Sequence, residues 1–578
     1  MIQLKSLLIN AAFCAGCISF YTSCSDNIPK PPVTTFCNPL DLEYRYQPDQ
    51  PSRREAADPT VVLFKDRYYL FASKSGGYWW SDDLKAWTLV QTDEIPVEDY
   101  APAAVVIGDT VYFMASSIVV RPVYKSADPS SGHWQVAVDS FAFPVWDPAL
   151  FYEDGHLYLY WGCSNVNPIY GIELDYQNNF KPIGKPVICF DRNTDVHGWE
   201  RPGDNNELER APWIEGAWMN KLNGKYYLQY AAPGTEFKSY ADGVYVSDNP
   251  LGPFEYAGHN PFSLKAGGFS CGAGHGSTFS DKFGNLWHIG TVTISVNHIF
   301  ERRLALFPVM LDQDSIMYAY TTFGDYPLSI PGYKFPDPQE LFPGLMLLSF
   351  NKPVSASSSL AGFPPSNAVD EDIRTSWSAA GGQQGEWITV DLEGIKKVMA
   401  VQVNYADNHS TTFLRDTSCY YRYLLEWSAD GIQWNVLDDA RNSSKDTPHR
   451  YLQLPEPVSA RFIRLTNYHI PSGHFAISGL RIFGKSASGK PGGVRQLTVS
   501  RNADDRTIAL LNWSRADSAT GYNIRYGTAR EKLYSSHLVY GDTTLLLRSL
   551  NANQPYFFTV DAFNEGGITG SEIIQASE

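Results

Sequence analysis

From Thr60 onward, apolar and polar positions alternate with a period of two over short runs, and the runs come in pairs joined by tight polar turns. Val61-Val62-Leu63-Phe64, the turn Lys65-Asp66, and Tyr68-Tyr69-Leu70-Phe71 make the first pair. Period-two runs rich in β-branched and aromatic residues, closed by a turn of this kind, predict a β-hairpin. The same design returns four times. Val105-Val106-Ile107 faces Val111-Tyr112-Phe113 across Gly108-Asp109, and Leu150-Phe151-Tyr152 faces Leu157-Tyr158-Leu159-Tyr160 across Asp154-Gly155. Trp218-Met219 faces Tyr226-Tyr227-Leu228 across Asn223-Gly224, and Ser277-Thr278-Phe279 faces Leu286-Trp287-His288-Ile289 across Gly284-Asn285. Five irregularly spaced copies of one hairpin predict five blades of a β-propeller. The first strand of each blade then lines the axis, so the residues heading those strands converge at one mouth. Asp58, Asp147, Glu215 and His275 stand at that head position. Proline is tolerated at the first residue of a strand, which suits Asp58-Pro59 and Asp147-Pro148.

The rest of the chain keeps the β texture. Of 578 residues 14% are aromatic, and 45 Gly and 37 Pro punctuate the runs, with no sustained helical period. A single core stops growing near roughly 250–300 residues, so several domains are expected. The composition shifts divide the chain into a leader at 1–23, a tether and N-terminal segment at 24–56 and the propeller at 57–330. A proline-rich linker at 331–344, a second β domain at 345–485, a Ser/Gly/Lys linker at 486–493 and a third β domain at 494–578 follow. The fold class expected is all-β throughout. The net charge of −16 argues against a nucleic-acid partner.

Met1 to Lys5 is a short positive segment, and Ser6 to Phe20 is mostly apolar but too short for a membrane span. Beyond Cys24 there are Cys37, Cys163, Cys189, Cys271 and Cys419, an odd number at spacings that fit neither a disulfide framework nor a zinc site. Between the third and fourth hairpins lies a long polar insertion, Asp191 to Arg210, which contains Trp199; at the mouth it would be a binding loop.

Three carboxylates at one mouth suit acid–base work on a glycosidic bond. One acid protonates the leaving oxygen, one base activates water, and a third carboxylate raises the donor's pKa by repulsion. Asp58 and Asp147 taken singly are explained as strand caps; Glu215, between Trp213-Ile214 and Gly216-Ala217, has no turn role. Aromatic faces near the mouth offer sugar stacking: Tyr100, Trp146, Trp161, Trp199 and Trp213, with Trp79 and Trp80 after the first hairpin.

These motifs carry resemblances. Ala57-Asp58-Pro59, Trp146-Asp147-Pro148-Ala149 and Trp213-Ile214-Glu215-Gly216 make residues 36–330 resemble glycoside hydrolase family 43, five-bladed inverting glycosidases. The resemblance implies Asp58 as general base, Glu215 as general acid and Asp147 as the pKa modulator that orients the acid. It implies a substrate contact for Arg302 and, for His275 in Gly274-His275-Gly276, an axial calcium or sodium ion with a water shell; no organic cofactor is expected. The family's second blade often begins Trp-Ala-Pro-Asp, whereas this chain has Tyr100-Ala101-Pro102-Ala103, which alters the subsite rather than the acids. Thr375-Ser376-Trp377, Trp387 to Leu392, Glu426 to Trp434 and Ala460 to Leu465 resemble a discoidin, or coagulation factor C-type, jelly roll. Many of its relatives bind sugars as carbohydrate-binding module family 32, and the turn Pro471-Ser472-Gly473, flanked by Tyr468-His469 and His474-Phe475, is the expected ligand site. Leu510 to Trp513, Gly521 to Gly527 and Tyr556 to Asn564 resemble a fibronectin type III sandwich, expected to act as a spacer. Tyr21-Thr22-Ser23-Cys24 resembles a bacterial lipoprotein cleavage site, which implies lipid on Cys24 and an outer-membrane location in the cell envelope.

The function these readings imply is an exo-acting inverting glycosidase of the arabinofuranosidase or β-xylosidase type, acting on oligosaccharides or polysaccharides. The alternatives are a galactosidase or galactofuranosidase of the same family and a glycan-binding surface lipoprotein without turnover. Asp58, Asp147 and Glu215 are all retained, against the last of these.

Overall fold

The computed structural model describes residues 34–414 and 418–577; the expected leader and Cys24 lie outside them. Among the described residues there is no α-helix, only short 3-10 turns between strands. The five predicted hairpins are the inner halves of five four-stranded antiparallel sheets with their strands in chain order. Blade 1 is built on Thr60–Phe64 and Arg67–Phe71, blade 2 on Tyr100–Ile107 and Thr110–Ser116, and blade 3 on Ala149–Glu153 and His156–Trp161. Blade 4 is built on Glu215–Leu222 and Lys225–Ala232, and blade 5 on Cys271–Ser280, Leu286–Thr293 and the long third strand Arg302–Leu311. Apolar positions of adjacent blades mesh: Val61, Leu70 and Trp79 of the first pack with Phe279, Trp287 and Leu304 of the fifth. The ring closes without a shared strand. Val61 N–H and Asp58 N–H of blade 1 donate to Ser277 Oγ and Thr291 Oγ1 of blade 5, each at 3.1 Å.

The heads of the inner strands share one backbone conformation. Asp58, Ala101, Asp147, Gly216 and His275 have φ of 52°, 41°, 49°, 64° and 42°. Left-handed backbone is costly for most side chains but less so for Asp and His, and costs nothing steric at Gly. The equivalent of Asp58 and Asp147 in blade 4 is therefore Gly216, and Glu215 stands one residue upstream of the position the hairpin repeat gave it. A slip in the ladder between Glu215 and Trp218 accommodates the difference.

The segment after Val33 braces the ring: Thr35–Phe36 pairs with Leu328–Ser329, and Asn38 bonds both N–H and C=O of Leu306. The stretch expected as a linker also packs, burying Phe335 and Leu341 against the first and fifth blades. The second domain is a jelly-roll sandwich whose sheet runs on the long strands Trp387–Tyr405 and His449–His469. Its core holds Trp377 edge-on to Phe475. Phe475 is fully buried, so it belongs to the core and not to the exposed sugar-binding turn expected there. His469 is likewise spent, stacked on Tyr420. The third domain is a two-sheet sandwich around Trp513, Tyr522 and Phe558.

The polar insertion after blade 3 does not form a lid. His197 pairs with Asn551, Gly198 N–H donates to Leu550 C=O at 3.0 Å, and Arg201 is paired with Asp505. It is the docking platform of the third domain. Trp199 is its fully buried anchor, donating to Tyr256 OH at 2.9 Å and packing on Tyr230. The expected sugar contact at Trp199 is thus a core contact. Gly243 is needed beneath it, since a Cβ there would lie 2.4 Å from the indole.

Candidate active site

The mouth of the propeller holds a cavity of about 380 Å³ that Asp58, Asp147, Glu215, His275, Arg302 and Tyr100 all line. Trp146 and Trp213, the residues just before the third head and two before Glu215, form its rim and are 46% and 41% exposed. Ile299 and Phe300 complete the wall. Three aromatics expected nearby are elsewhere. Trp161 is wedged between Phe143 and Tyr170, and Trp79 and Trp80 share the third strand of blade 1, the first in the core and the second with Arg67 over its ring.

Each carboxylate is held by a different set of donors. Asp58 Oδ1 accepts from Arg302 Nη1 at 3.0 Å and faces His275 Nδ1 at 3.2 Å, while Oδ2 accepts from Ser73 Oγ at 2.6 Å. Burial pushes the Asp58 carboxyl up, but Arg302, His275 and the Ser73 hydroxyl together outweigh it and hold the group below the ordinary aspartate value. Arg302 is fixed in turn: Nη2 donates to the buried Glu55 at 2.7 Å and Nη1 also reaches Thr235 Oγ1 at 3.1 Å. Its Nε is buried without a partner among the described residues.

Asp147 is paired with Ser116, whose hydroxyl accepts from the Asp147 N–H at 3.1 Å and approaches Oδ1 at 3.3 Å. His275 Nδ1 lies 3.7 Å from Oδ2. Burial, and then the charges of Glu215 and Asp58, push the Asp147 carboxyl up to about 7 against the pull of His275. Glu215 accepts from Tyr240 OH at 2.5 Å on Oε1 and from the Cys163 thiol at 3.2 Å on Oε2. Carboxylate oxygens of Asp147 and Glu215 lie within 4.8 Å of each other and of the Cys163 sulfur. At that range the Glu215 charge bears directly on the Asp147 carboxyl. The raised carboxyl is that of Asp147, the expected pKa modulator.

His275 sits where its backbone demands. Its N–H and that of Gly276 donate to the two oxygens of Asp242 at 2.7 and 3.0 Å, fixing the left-handed turn, and its ring lies against Gly216. With Nδ1 directed at Asp58, Nε2 is the ring nitrogen left for an ion. One imidazole nitrogen among hard oxygen-seeking cations fits only an ion whose shell is mostly water.

Ser73, Ser116, Cys163 and Thr291 were not picked out from the sequence, yet they obey one rule. They follow the heads of their own hairpins by 15, 15, 16 and 16 residues (73 − 58, 116 − 101, 163 − 147, 291 − 275), at or just beyond the end of the second strand except for Thr291 within it. Two antiparallel strands and a tight turn return the chain to its starting level after that many residues. A polar residue there braces a head: Ser73 its own, Ser116 and Cys163 the acid of the next blade, and Thr291 that of blade 1. Glu55, Tyr240 and Phe300 left no such signal.

Residues 52–316 match the model of a family described as Glycosyl hydrolases family 43, residues 353–478 that of the F5/8 type C domain, and residues 491–577 that of the Fibronectin type III domain. The chain is 28% identical over 167 residues to a "Beta-xylosidase" of Xylanibacter ruminicola, covering 24% of this chain and 44% of that protein. It is 34% identical over 156 residues to an "Arabinoxylan arabinofuranohydrolase" of Paenibacillus polymyxa, covering 25% and 22%. The chain thus spans less than half the length of these relatives. A solved structure titled "Glycoside hydrolase" superposes with a TM-score of 0.45 at 18% identity, over 74% of this chain and 97% of its own. One chain thus carries a match to glycosyl hydrolases family 43 over residues 52–316, followed by matches to an F5/8 type C domain and a fibronectin type III domain.

Proposed function

We propose that this protein is an exo-acting, inverting glycoside hydrolase that removes terminal arabinofuranose or xylose from oligosaccharides or polysaccharides. The observation that carries the proposal is the meeting of Asp58, Asp147 and Glu215 in one cavity, with Asp58 held ionised by Arg302. Asp58 takes a proton from water as the water oxygen bonds to the anomeric carbon. Glu215 gives a proton to the leaving oxygen as the glycosidic bond breaks. Asp147 stands beside Glu215, and Tyr240 and Cys163 aim the Glu215 carboxyl. Placement of the base across the ring from the acid, with carboxyls roughly 6.5–9.5 Å apart, leaves room for that water and gives inversion.

Tyr100, Trp146 and Trp213 offer faces to sugar C–H groups, and Arg302 Nε is the donor left for a ring hydroxyl. A cavity of about 380 Å³ suits one sugar and part of the next, which favours exo action. His275 Nε2 would hold a calcium or sodium ion at the axis through water, and such an ion would supply positive charge beside the acids. The choice of pentoses follows the names of the relatives. Lipid on Cys24 would hold the enzyme at the outer membrane; fractionation should find wild type with membranes and Cys24→Ala free, and two free forms would refute the anchor.

The test of the reaction is a panel of aryl glycosides of arabinofuranose, xylose, galactofuranose and galactose, with proton NMR of the first-formed sugar. Release of inverted arabinose or xylose is expected. Silence on the panel and on natural oligosaccharides, or a retained product, refutes the proposal.

A further inference from the structure

A second cavity, of about 350 Å³, lies between the propeller and the F5/8 type C domain. It is separated from the active site by one loop and one strand end. Ile299 and Phe300 line the active cavity, while Ile294, Val296, Asn297 and Glu301 of the same loop line the cleft. Successive side chains of a strand point to opposite faces. So Arg302, which begins the third strand of blade 5, enters the active cavity, and its neighbour Arg303 enters the cleft.

The other wall comes from the F5/8 type C domain, and Arg374 ties it to the active site. Its Nη1 is paired with Asp204 at 2.7 Å, and its Nη2 donates at 3.2 Å to the C=O of Glu236, a residue that lines the active cavity. Its Nε is buried and has no partner among the described residues. Asn367 uses its amide N–H on Ser376 C=O at 3.1 Å and Asn408 uses its own on Ser378 Oγ at 2.5 Å, which leaves both amide oxygens as acceptors. The ring of Phe363 adds an apolar face.

Charge on the walls is balanced. Arg374 is paired with Asp204, Asp407 is paired with Arg54 at 3.0 Å, and the remaining charged lining residues, Arg303 and Glu301, carry opposite signs, so no net charge seats a phosphate or a carboxylate. Alternating donors and acceptors with an apolar face and no net charge are what a neutral sugar requires: hydroxyls that both give and take hydrogen bonds, and one C–H face.

We propose that this interdomain cleft is a second carbohydrate-binding site, taking one or two neutral sugar residues, built jointly by both domains and sharing the 294–301 loop with the active cavity. Neither domain alone contains it. Only the choice of probe sugars rests on the proposed hydrolase activity.

The experiment uses the full chain carrying Glu215→Gln, so that ligands survive. Isothermal titration is run with xylo-oligosaccharides, arabino-oligosaccharides, xylose, arabinose and galactose. At least one probe should bind at two sites per chain. Adding Thr375→Trp, which fills the cleft, should reduce this to one site. Should that variant not fold, Asn367→Ala with Asn408→Ala replaces it, and should weaken the second site by at least tenfold while leaving aryl-glycoside hydrolysis unchanged in the otherwise wild-type chain. A single site for every probe, or a second site indifferent to these substitutions, overturns the inference. Hydrolysis with a silent cleft would refute this inference alone; cleft binding without hydrolysis would refute only the function proposed above.

Discussion

Asp58 and Glu215 are both carboxylates at one mouth, yet their surroundings assign them opposite work. Asp58 has a guanidinium, an imidazole and a hydroxyl against it and stays ionised. Glu215 has only a phenol and a thiol, and a neighbouring carboxyl that holds a proton up to about 7. Asp58→Asn and Glu215→Gln should each lower kcat by about 10²–10⁴ while the protein stays folded. Glu215→Gln should recover on aryl glycosides with good leaving groups, which need no proton, and Asp58→Asn should not; equal behaviour of the two on such substrates would undo the assignment. The pH dependence follows from the same partners. With Asp58 held below its ordinary value, the acid limb should lie below about pH 4. The basic limb should fall as the raised Asp147 carboxyl loses its proton near pH 7. Asp147→Asn should move that limb in kcat/KM. The sign for stability is the reverse of the usual carboxylate case. Asp147 binds its proton more tightly folded than unfolded, so its contribution is lost as pH rises from about 4 to about 7. Asp147→Asn should therefore melt higher than wild type at pH 8, with the gain vanishing at pH 4; a variant that melts lower at pH 8 would contradict the buried, raised carboxyl.

At the scale of the element, the hairpins were legible because alternation and a two-residue turn are local signals. What they position was legible only to within one residue. The repeat put Glu215 level with Asp58, while the backbone puts Gly216 there, because only a residue without Cβ fits against the His275 ring. The insertion was misread for a different reason. Nothing near Trp199 in the chain announces that Asn551 and Leu550, some 350 residues on, will cover it. Phe475 likewise sits beside an exposed turn yet points into the core. The blade-4 head gives a sharp comparison of two glycines. At Gly216, φ is +64° and a Cβ would lie 2.6 Å from His275 Cγ; at Gly224, φ is +81° with nothing within 4 Å. Left-handed backbone costs a side chain about 1–2 kcal/mol. Gly224→Ala should lose about that much stability in urea titrations, and Gly216→Ala more, since its Cβ must also displace the imidazole. Only Gly216→Ala should lose activity as well, by tenfold or more, through the displaced imidazole. Equal activities would mean that His275 has no need of its present place.

For the whole molecule the question is whether three domains on one chain behave as three. Their interfaces are built like interiors. Arg54 of the N-terminal segment is fully buried between Asp407 at 3.0 Å and Asp446 at 2.7 Å, both from the F5/8 type C domain, with the ring of Tyr46 against it. Arg481 of that domain is buried against its own Glu371 and donates to the C=O of Asp325, beyond the last blade. The fibronectin type III domain reaches both others: Arg201 and Asp312 of the propeller pair with Asp505 and Lys532, and Phe323 meets Phe563. Removing one partner from a buried ion pair costs about 3–5 kcal/mol, because the remaining charge stays out of water. A chain cut after residue 344 would strip Arg54 of both carboxylates and Arg303 of His449, whose Nε2 meets its Nε at 3.0 Å, and would bare the apolar surface around them. Independent domains of a flexible chain would each melt alone, whereas domains joined through buried charges should melt together. Calorimetry of the full chain should show one transition, with calorimetric and van't Hoff enthalpies in agreement. Arg54→Ala should lower its temperature without splitting it, since the aromatic and backbone contacts of the interface persist. The cut chain should be insoluble or melt well below the whole, and should be no more active for having its cavity intact. Two or three resolved transitions in the full chain, or a cut propeller that melts with it, would show the domains to be separate bodies and remove the mechanical basis for any site shared between them.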